Sequence, residues 1–410
     1  MSENNEIKAP LNKNNKVPRL RFKNFEEDWI VVNFYSHFTY FSTNSLSWDE
    51  LNYKSGDYLN LHYGIIHSNN SNLILSSSLP FINQDKMPKR FTLINEGDLI
   101  LADTSEDRKD AAKGIEIINK SNANILSGLH TIHLREKTLC TIPGFKTYYV
   151  ASKSFKNFAR KYCEGIKVFS IKPSLLKYTH FAYPQNKSEQ FMIVNFFNKI
   201  EEKKAILEKK IDILKKYKEG VFLDTRKCSK KIALKNILSE VNIKTKYNNQ
   251  YEILSSTAIG LFSQKEYFKH QVASENNVGY KVIKKGQLLF SPQNLWLGNI
   301  NLNNDFEIGM VSPSYKIYDI DNSINSSWLI SMLKSQNMLY KYKQISEQGA
   351  SVVRRNLDLS QFLEITIDIP DNQIQIGITL ETIDKKINAL SNLFMNLKKL
   401  KMHLLNEMFI

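Results

Sequence analysis

At 410 residues the chain is long enough for two or three domains with sizeable cores, so it needs no disulfides to fold. A formal net charge of +15 favours an acidic partner, of which nucleic acid is the commonest. Cys140, Cys163 and Cys228 form an odd set without C-x-x-C spacing, which argues for a reducing compartment and against a structural zinc.

In chain order, residues 1–16 are polar and unpatterned, and are expected to be disordered. The opening Met1–Lys8 has no apolar h-region, and no run reaches the roughly 18 apolar residues of a membrane helix, so the expectation is a soluble cytoplasmic protein. A first globular domain follows over 17–185, mixing short alternating strands with amphipathic helices such as Phe155–Tyr162. Within it, Glu96-Gly-Asp-Leu-Ile-Leu101 reads as a turn feeding an apolar strand. After Gly165 comes the β-rich stretch His180–Tyr183, which Pro184 stops because proline cannot continue a ladder.

A long helix is expected over 186–226. Its apolar seam runs Ile193, Phe197, Ile200, Lys204, Leu207, Ile211, Leu214, Lys218, Val221, in alternating steps of four and three, the period of a coiled coil. Gly220 weakens its last turn. A second globular domain over 227–370 contains a helix at Trp328–Lys343 and closes on Ile365–Ile369 and Pro370. A second long helix over 371–410 carries the seam Ile376, Leu380, Ile383, Ile387, Leu390, Phe394, Leu397, Lys401, Leu404.

The halves repeat. Sliding Ile200–Lys218 forward by 183 residues onto Ile383–Lys401 gives seven identities in 19 positions, and both seams turn to lysine at the same point, Lys218 and Lys401. Glu96-Gly-Asp-Leu-Ile-Leu101 corresponds to Lys285-Gly-Gln-Leu-Leu-Phe290, and Ser127-Gly-Leu-His-Thr-Ile-His133 to Ser312-Pro-Ser-Tyr-Lys-Ile-Tyr318. Each half also has a glycine about 20 residues before its proline, Gly165 and Gly349. Landmarks that keep their order while their spacing drifts are what duplicated domains with diverged loops look like.

The search for chemistry returns little. There is no phosphate-binding G-x-x-x-x-G-K-[ST] loop, no glycine-rich dinucleotide turn, and neither Asp-Pro-Pro-Tyr nor Asn-Pro-Pro-Phe. Glu201-Glu-Lys203 and Glu208-Lys-Lys210 have the Glu-x-Lys form of nuclease sites, but they lie on the long helix, where a solvated face explains them. His130 and His133 make an H-x-x-H in an alternating stretch. Residues three apart on a strand point to opposite faces, so a shared metal is not expected. His62 and His67 have no carboxylate or cysteine cluster nearby in sequence.

These residues resemble the specificity subunits of type I restriction–modification systems across nearly the whole chain. Val17-Pro-Arg-Leu-Arg-Phe-Lys-Asn-Phe25 with Trp29 looks like the family's entry into a first target-recognition domain. Gly279-Tyr-Lys-Val-Ile-Lys-Lys-Gly286, Ser291-Pro and Val311-Ser-Pro-Ser-Tyr315 look like a second such domain. Ser188-Glu-Gln190 after Pro184 is similar to the family's helix entry; the second half has Ile374-Gln375 there instead. The Leu-Lys-x-x-Lys helix ends and the closing Leu404-Leu-Asn-Glu-Met-Phe409 also fit.

The resemblance implies an α+β fold: two duplicated mixed α/β target-recognition domains separated by two long antiparallel coiled-coil helices about a pseudo-two-fold axis. It implies a non-catalytic subunit that reads a split double-stranded DNA target. The helices would set the half-site gap: about 40 residues at 1.5 Å span about 60 Å, roughly 18 base pairs at 3.4 Å each. Two adenine methyltransferase subunits and the translocase–nuclease subunits would dock on this chain and carry the S-adenosylmethionine, ATP and magnesium sites, with no cofactor or metal held here. Base contacts are expected from variable loops: Lys89, Arg90, Thr104, Ser105, Arg108 and Lys109 in the first domain, and Gln293, Asn294, Trp296, Arg354 and Arg355 in the second. The competing readings are a coiled-coil scaffold whose basic charge is incidental, and a nuclease with a divergent site.

Overall fold

The computed structural model describes residues 16–68, 78–118, 123–223, 229–267, 276–349 and 354–410. The expected disordered tail therefore lies, but for Lys16, outside the described residues, as does Cys228. The chain divides into two compact units, Met1–Glu208 with Asn392–Ile410, and Lys209–Ser391. Among the described residues no helix is long and apolar enough to cross a membrane.

In the first unit, β1 (Ile30–Asn33) pairs antiparallel with β6 (His180–Tyr183). Between them in sequence lie β2 (Phe38–Phe41), β3 (Leu99–Ala102), β4 (Gly114–Glu116) and β5 (Thr131–Glu136), which form an antiparallel sheet in the order β2-β5-β3-β4. Four consecutive residues of β3 are buried because both faces of this sheet are covered. Leu99 and Leu101 join a core with Trp29, Phe34 and Phe145, while Ile100 and Ala102 join a second core with Leu61, Ile66 and Ile115. Helices α1 (Phe145–Ala151) and α2 (Lys153–Tyr162) follow, and the side chain of Ser152 caps the second at Phe155 N. The helix α3 (Lys187–Leu223) begins in this unit and runs on through Gly220.

The second unit has the same plan. Strand β7 (Ser229–Ala233) pairs antiparallel with β12 (Thr366–Pro370). Strands β8 (Leu238–Val241), β9 (Leu288–Phe290), β10 (Ile300–Leu302) and β11 (Lys316–Ile320) form an antiparallel sheet in the order β8-β11-β9-β10. Helices α4 (Ser326–Leu333) and α5 (Gln336–Gln344) are capped by Asn325 and Ser335, and the long helix α6 (Gln373–Glu407) closes the chain. Leu288 and Phe290 face a core with Trp328 and Leu380; Leu289 faces a smaller one with Leu254 and Ile317.

Both apolar strands start from the same turn. Gly97 (φ +84°) and Gly286 (φ +85°) occupy the left-handed region, which costs a side-chain-bearing residue far more than glycine. Each glycine N–H donates to a carbonyl just past the next strand, Ile117 at 2.8 Å and Asn303 at 2.7 Å. The following residue ties the turn shut: Asp98 accepts from Asn95 N at 2.7 Å and Gln287 from Lys284 N at 2.7 Å.

Every seam position of the two long helices is buried or half-buried. Ile193, Phe197, Ile200, Leu207, Ile376, Leu380, Ile383 and Lys401 are buried; Lys204, Ile211, Leu214, Lys218, Val221, Ile387, Leu390, Phe394, Leu397 and Leu404 are half-buried. A fully buried Leu or Ile side chain gains about 1.5–3 kcal/mol, so the stretch after each globular part holds more tightly than the middle of each helix. In the first unit Leu405, Met408 and Phe409 seal the core, with the Phe409 ring 5.9 Å from Trp29 and 5.6 Å from Phe145.

The helix starts are fixed by one repeated clamp. The Gln190 amide accepts from Ile142 N at 2.8 Å and donates to Cys140 O at 3.0 Å. Gln373 accepts from Asn325 N at 2.9 Å and donates to Ser323 O at 3.0 Å. Adding 183 to residues 140, 142 and 190 gives 323, 325 and 373. The degraded helix-entry motif of the second half thus keeps its glutamine at Gln373, at the first residue of α6 and ahead of the Ile374-Gln375 pair. Close packing differs at one point beside the clamps: a Cβ on Gly144 would lie 3.0 Å from Val194, whereas a Cβ on Gly377 would lie 1.9 Å from Asn325 Oδ1.

Candidate nucleic-acid interface

The entry motif of the first half is a structural lock. Arg21 donates from Nε and Nη2 to the two Glu189 carboxylate oxygens, each at 2.7 Å, and Trp29 Nε1 donates to Glu189 at 3.2 Å. Glu189 is fully buried, so the fork of the arginine supplies the charge that a buried carboxylate requires.

The histidine pair separates, but not by strand alternation, because His133 lies on β5 while His130 sits in the left-handed turn before it. His133 is buried on β5, with Nε2 2.8 Å from Asp98, and Arg135 holds the same carboxylate at 2.7 and 2.8 Å. Burial pushes the Asp98 carboxyl up, but the Arg135 and His133 hydrogen bonds outweigh it and hold it below the ordinary carboxylate range. In the second unit Gln287 Nε2 donates to Asp319 in the same place at 2.8 Å, so this network belongs to the turn and strand, not to a metal. Among the described residues no group of three or more His, Cys, Asp or Glu could hold a metal ion.

His130 lies before the strand, at φ +54°, and points to solvent with the loop that follows β3. Its Nδ1 is 3.2 Å from Thr104 Oγ1 and 3.2 Å from Asp103 Oδ1, and Thr104 Oγ1 donates to Asp103 Oδ1 at 2.7 Å. His67 Nε2 is 2.7 Å from Thr104 O, and the Tyr63 ring stands edge-on 5.3 Å from His130. Lys113 Nζ donates to His67 O at 3.0 Å; burial lowers its pKa.

The remaining candidates of the first unit divide by exposure. Lys89, Arg90, Arg108 and Lys109 are exposed. Arg90 rims a shallow cleft with Ser42, Asn44 and Phe91. Arg108 is held to the surface, with Nε donating to Arg160 O at 3.1 Å and its guanidinium 5.9 Å from the Phe169 ring. Ser105 is buried, and its hydroxyl donates to Asp107 O at 2.8 Å, so it shapes the loop from within.

In the second unit Gln293, Trp296 and Arg355 come together. Arg355 N donates to Gln293 O at 3.1 Å, and its guanidinium lies 5.9 Å from the Trp296 ring. The same guanidinium donates to Ser346 Oγ at 2.8 Å and to Lys343 O at 3.2 Å, which pins the strand pair Ser346–Gln348 and Arg355–Leu357 to α5. Trp296 is half-buried against the core, Asn294 is half-buried, and Gln293 and Arg354 are exposed. Arg355 is therefore occupied by protein carbonyls, and Arg354 is the cation of the pair that faces solvent. Sequence reasoning weighed His67 and His130 as metal ligands alone and passed over Asp103 and Tyr63; the signal available was that Asp103 adjoins Thr104 and that His130 lies in a repeated segment.

Two of the ion pairs on the long helices join one helix to the other. Lys401 pairs with Glu201 in the first unit, and Lys218 with Asp384 at 2.6 Å in the second. Glu201 and Asp384 are 183 residues apart, as are Lys218 and Lys401. Burial lowers the Lys401 pKa, with Glu201 opposing the shift.

No protein-family model and no curated protein matches the chain. Among solved structures it is similar to the S subunit of the type I restriction–modification system from M. genitalium: 15% identity, TM-score 0.58, over 96% of this chain and 99% of that one. It is also similar to a chain in a structure of complex assembly and conformational transition of the type I R-M system: 12% identity, TM-score 0.52, over 92% and 96%. The chain has the mixed α/β fold of these proteins.

Proposed function

We propose that this chain is the specificity subunit of a type I restriction–modification complex, which reads a bipartite DNA target and performs no chemistry itself. The observation that carries the reading is the likeness in fold to an S subunit along nearly the whole length of both chains. The two halves are read as a duplication, because the sheet orders, the glutamine clamps and the ion pairs all recur at equivalent positions. When Glu201 meets Lys401 and its counterpart Asp384 meets Lys218, the contact is reciprocal, as across a two-fold axis. We read α3 and α6 accordingly as an antiparallel pair that sets the gap between half-sites.

On this reading each globular part takes one half-site, over domains 17–185 and 227–370, and the helices over 186–226 and 371–410 separate them. Exposed Lys89, Arg90, Arg108, Lys109 and Arg354 supply phosphate or guanine contacts, and Gln293 and Asn294 suit adenine. Two adenine methyltransferase subunits dock on this chain and bring S-adenosylmethionine; translocase–nuclease subunits bring the ATP and magnesium chemistry.

The test is to purify the chain with its methyltransferase partner and select bound duplexes from a random library. The expected product is two short specified segments separated by a fixed unspecified spacer, with affinity that falls steeply as salt rises because bound counterions are released. Binding to duplexes without any common split site would overturn the reading.

A further inference from the structure

We infer that Asp103 and His130, braced by Thr104, Tyr63 and His67, read a cytosine amino group in the half-site bound by the first unit; the inference rests on the specificity-subunit reading. Asp103 ends the run out of β3 and His130 enters β5, and Asp103 N donates to His130 O at 3.0 Å, so the two side chains leave the sheet at one point. The left-handed backbone at His130 turns its ring outward while the next residue, Thr131, is buried. Histidine is among the few side-chain-bearing residues enriched in that region, so the conformation is accessible to this side chain.

The chemistry of the open atoms selects the ligand. His130 Nδ1 and Asp103 Oδ1 are spent on each other and on Thr104. Among the described residues, Asp103 Oδ2 and His130 Nε2 take no hydrogen bond. The tautomer that donates Nδ1–H to Asp103 leaves Nε2 as an acceptor, so the open atoms of the pair are both acceptors, with no donor among them. In the major groove such a pair matches the exocyclic amines, and a carboxylate accepts from cytosine N4.

An exposed Asp–His pair alone would mean little. Here it is braced from behind: His67 Nε2 is 2.7 Å from Thr104 O, Lys113 Nζ holds His67 O at 3.0 Å, and Tyr63 stands between the His62 and His130 rings at 4.6 and 5.3 Å. A contact group fixed before binding loses less freedom on binding, which is what base discrimination needs.

The experiment is duplex selection with the methyltransferase partner present, comparing wild type with Asp103→Asn and His130→Asn. Asparagine tolerates left-handed backbone and pairs with adenine through N6 and N7. Asp103→Asn is expected to move one position of the first half-site from cytosine to adenine. His130→Asn is expected to lose about 5- to 150-fold discrimination there, the range of one good base contact. The second half-site should be unchanged in both variants, which also reports that they fold. If both variants select the wild-type base at every position, the assignment fails while the specificity-subunit reading stands. If wild type selects no split site, both fail together.

Discussion

Glu201→Gln should destabilise the first unit far more than the equivalent Asp384→Asn destabilises the second. Glu201 is 7% exposed and Lys401 9%, and Lys204 Nζ also donates to Glu201, at 3.0 Å. Removing the carboxylate leaves two ammonium groups beside one another, faced by the Tyr148 ring 5.6 Å from Lys401 Nζ and the Phe394 ring 5.9 Å from Lys204 Nζ, which do not replace its charge. Breaking a buried pair from one side costs about 3–5 kcal/mol. Deprotonation caps the loss: shedding the lysine proton at pH 7 costs about 5 kcal/mol, from roughly 1.4 kcal/mol per unit over about 3.5 units. In the second unit the Lys218 and Asp384 side chains are 31% and 46% exposed, and a pair so solvated contributes about 0.2–1 kcal/mol.

Urea denaturation followed by hydrogen exchange resolves the two units, and Glu201→Gln with Lys401→Met should recover most of the loss. The pH dependence has a definite sign. In the Glu201→Gln variant the folded state binds its Lys401 proton more weakly than the unfolded chain does. Stability rises with pH wherever the unfolded state holds more protons, so the deficit is full at neutral pH and shrinks as pH approaches the unfolded lysine value. Equal small losses in both variants, or a Glu201→Gln deficit that does not shrink in base, would refute the reasoning.

Three further outcomes are expected. Gln190→Leu and Gln373→Leu each leave a backbone N–H and a carbonyl without their side-chain partner, and each should cost about 1–3 kcal/mol in thermal unfolding; a tolerated leucine at either site would show that the clamp is idle. Arg354→Ala should weaken DNA binding and reduce the salt slope by about one contact, whereas Arg355→Ala should loosen the Ser346–Leu357 strand pair in hydrogen exchange; an exchange of these two phenotypes would reverse the assignment of the pair. Inserting one heptad after Leu207 and one after Leu390 preserves both seams and adds about 10 Å to each helix, roughly three base pairs of spacer. An insertion variant that folds and still selects the original spacer would show that the helices do not set the gap.

The long helices were legible because their seam is local: a period of 3.5 residues is carried by the side chains themselves, and each seam residue has lost solvent. The paired turns at Gly97 and Gly286 were legible for a similar reason, since glycine is the residue that left-handed backbone favours and the apolar strand follows at once. The chemistry of the next residue was not. Asp98 and Gln287 do the same work with different side chains, against Arg135 and His133 in one unit and Asp319 in the other, and no spacing rule connects those positions. The helix entry was misaligned for a related reason. Matching Ser188-Glu-Gln190 by appearance pointed to Ile374-Gln375, while the fixed shift that aligned the seams leads to Gln373, whose partners in the loop before α4 confirm the register. Among the loop candidates, Ser105 and Arg355 had the right residue types but are engaged by their own surroundings, Ser105 by the Asp107 carbonyl and Arg355 by Ser346 and Lys343, which residue type alone does not reveal.

The glycine that makes room at each clamp has changed sides. In the first unit the loop residue Gly144 yields to Val194 on the helix; in the second the helix residue Gly377 yields to Asn325 in the loop, whose Oδ1 also accepts from Trp328 N at 2.9 Å. The two units are therefore not interchangeable parts, although their frames match. A graft cut at the helix boundary that sets Asn325 against a valine would force a methyl-bearing carbon into the cap of α4. Shuffling of modules between such chains must move the loop and the first turn of its helix as one cassette, and the seam beyond that turn is where a recombination joint can fall without harm.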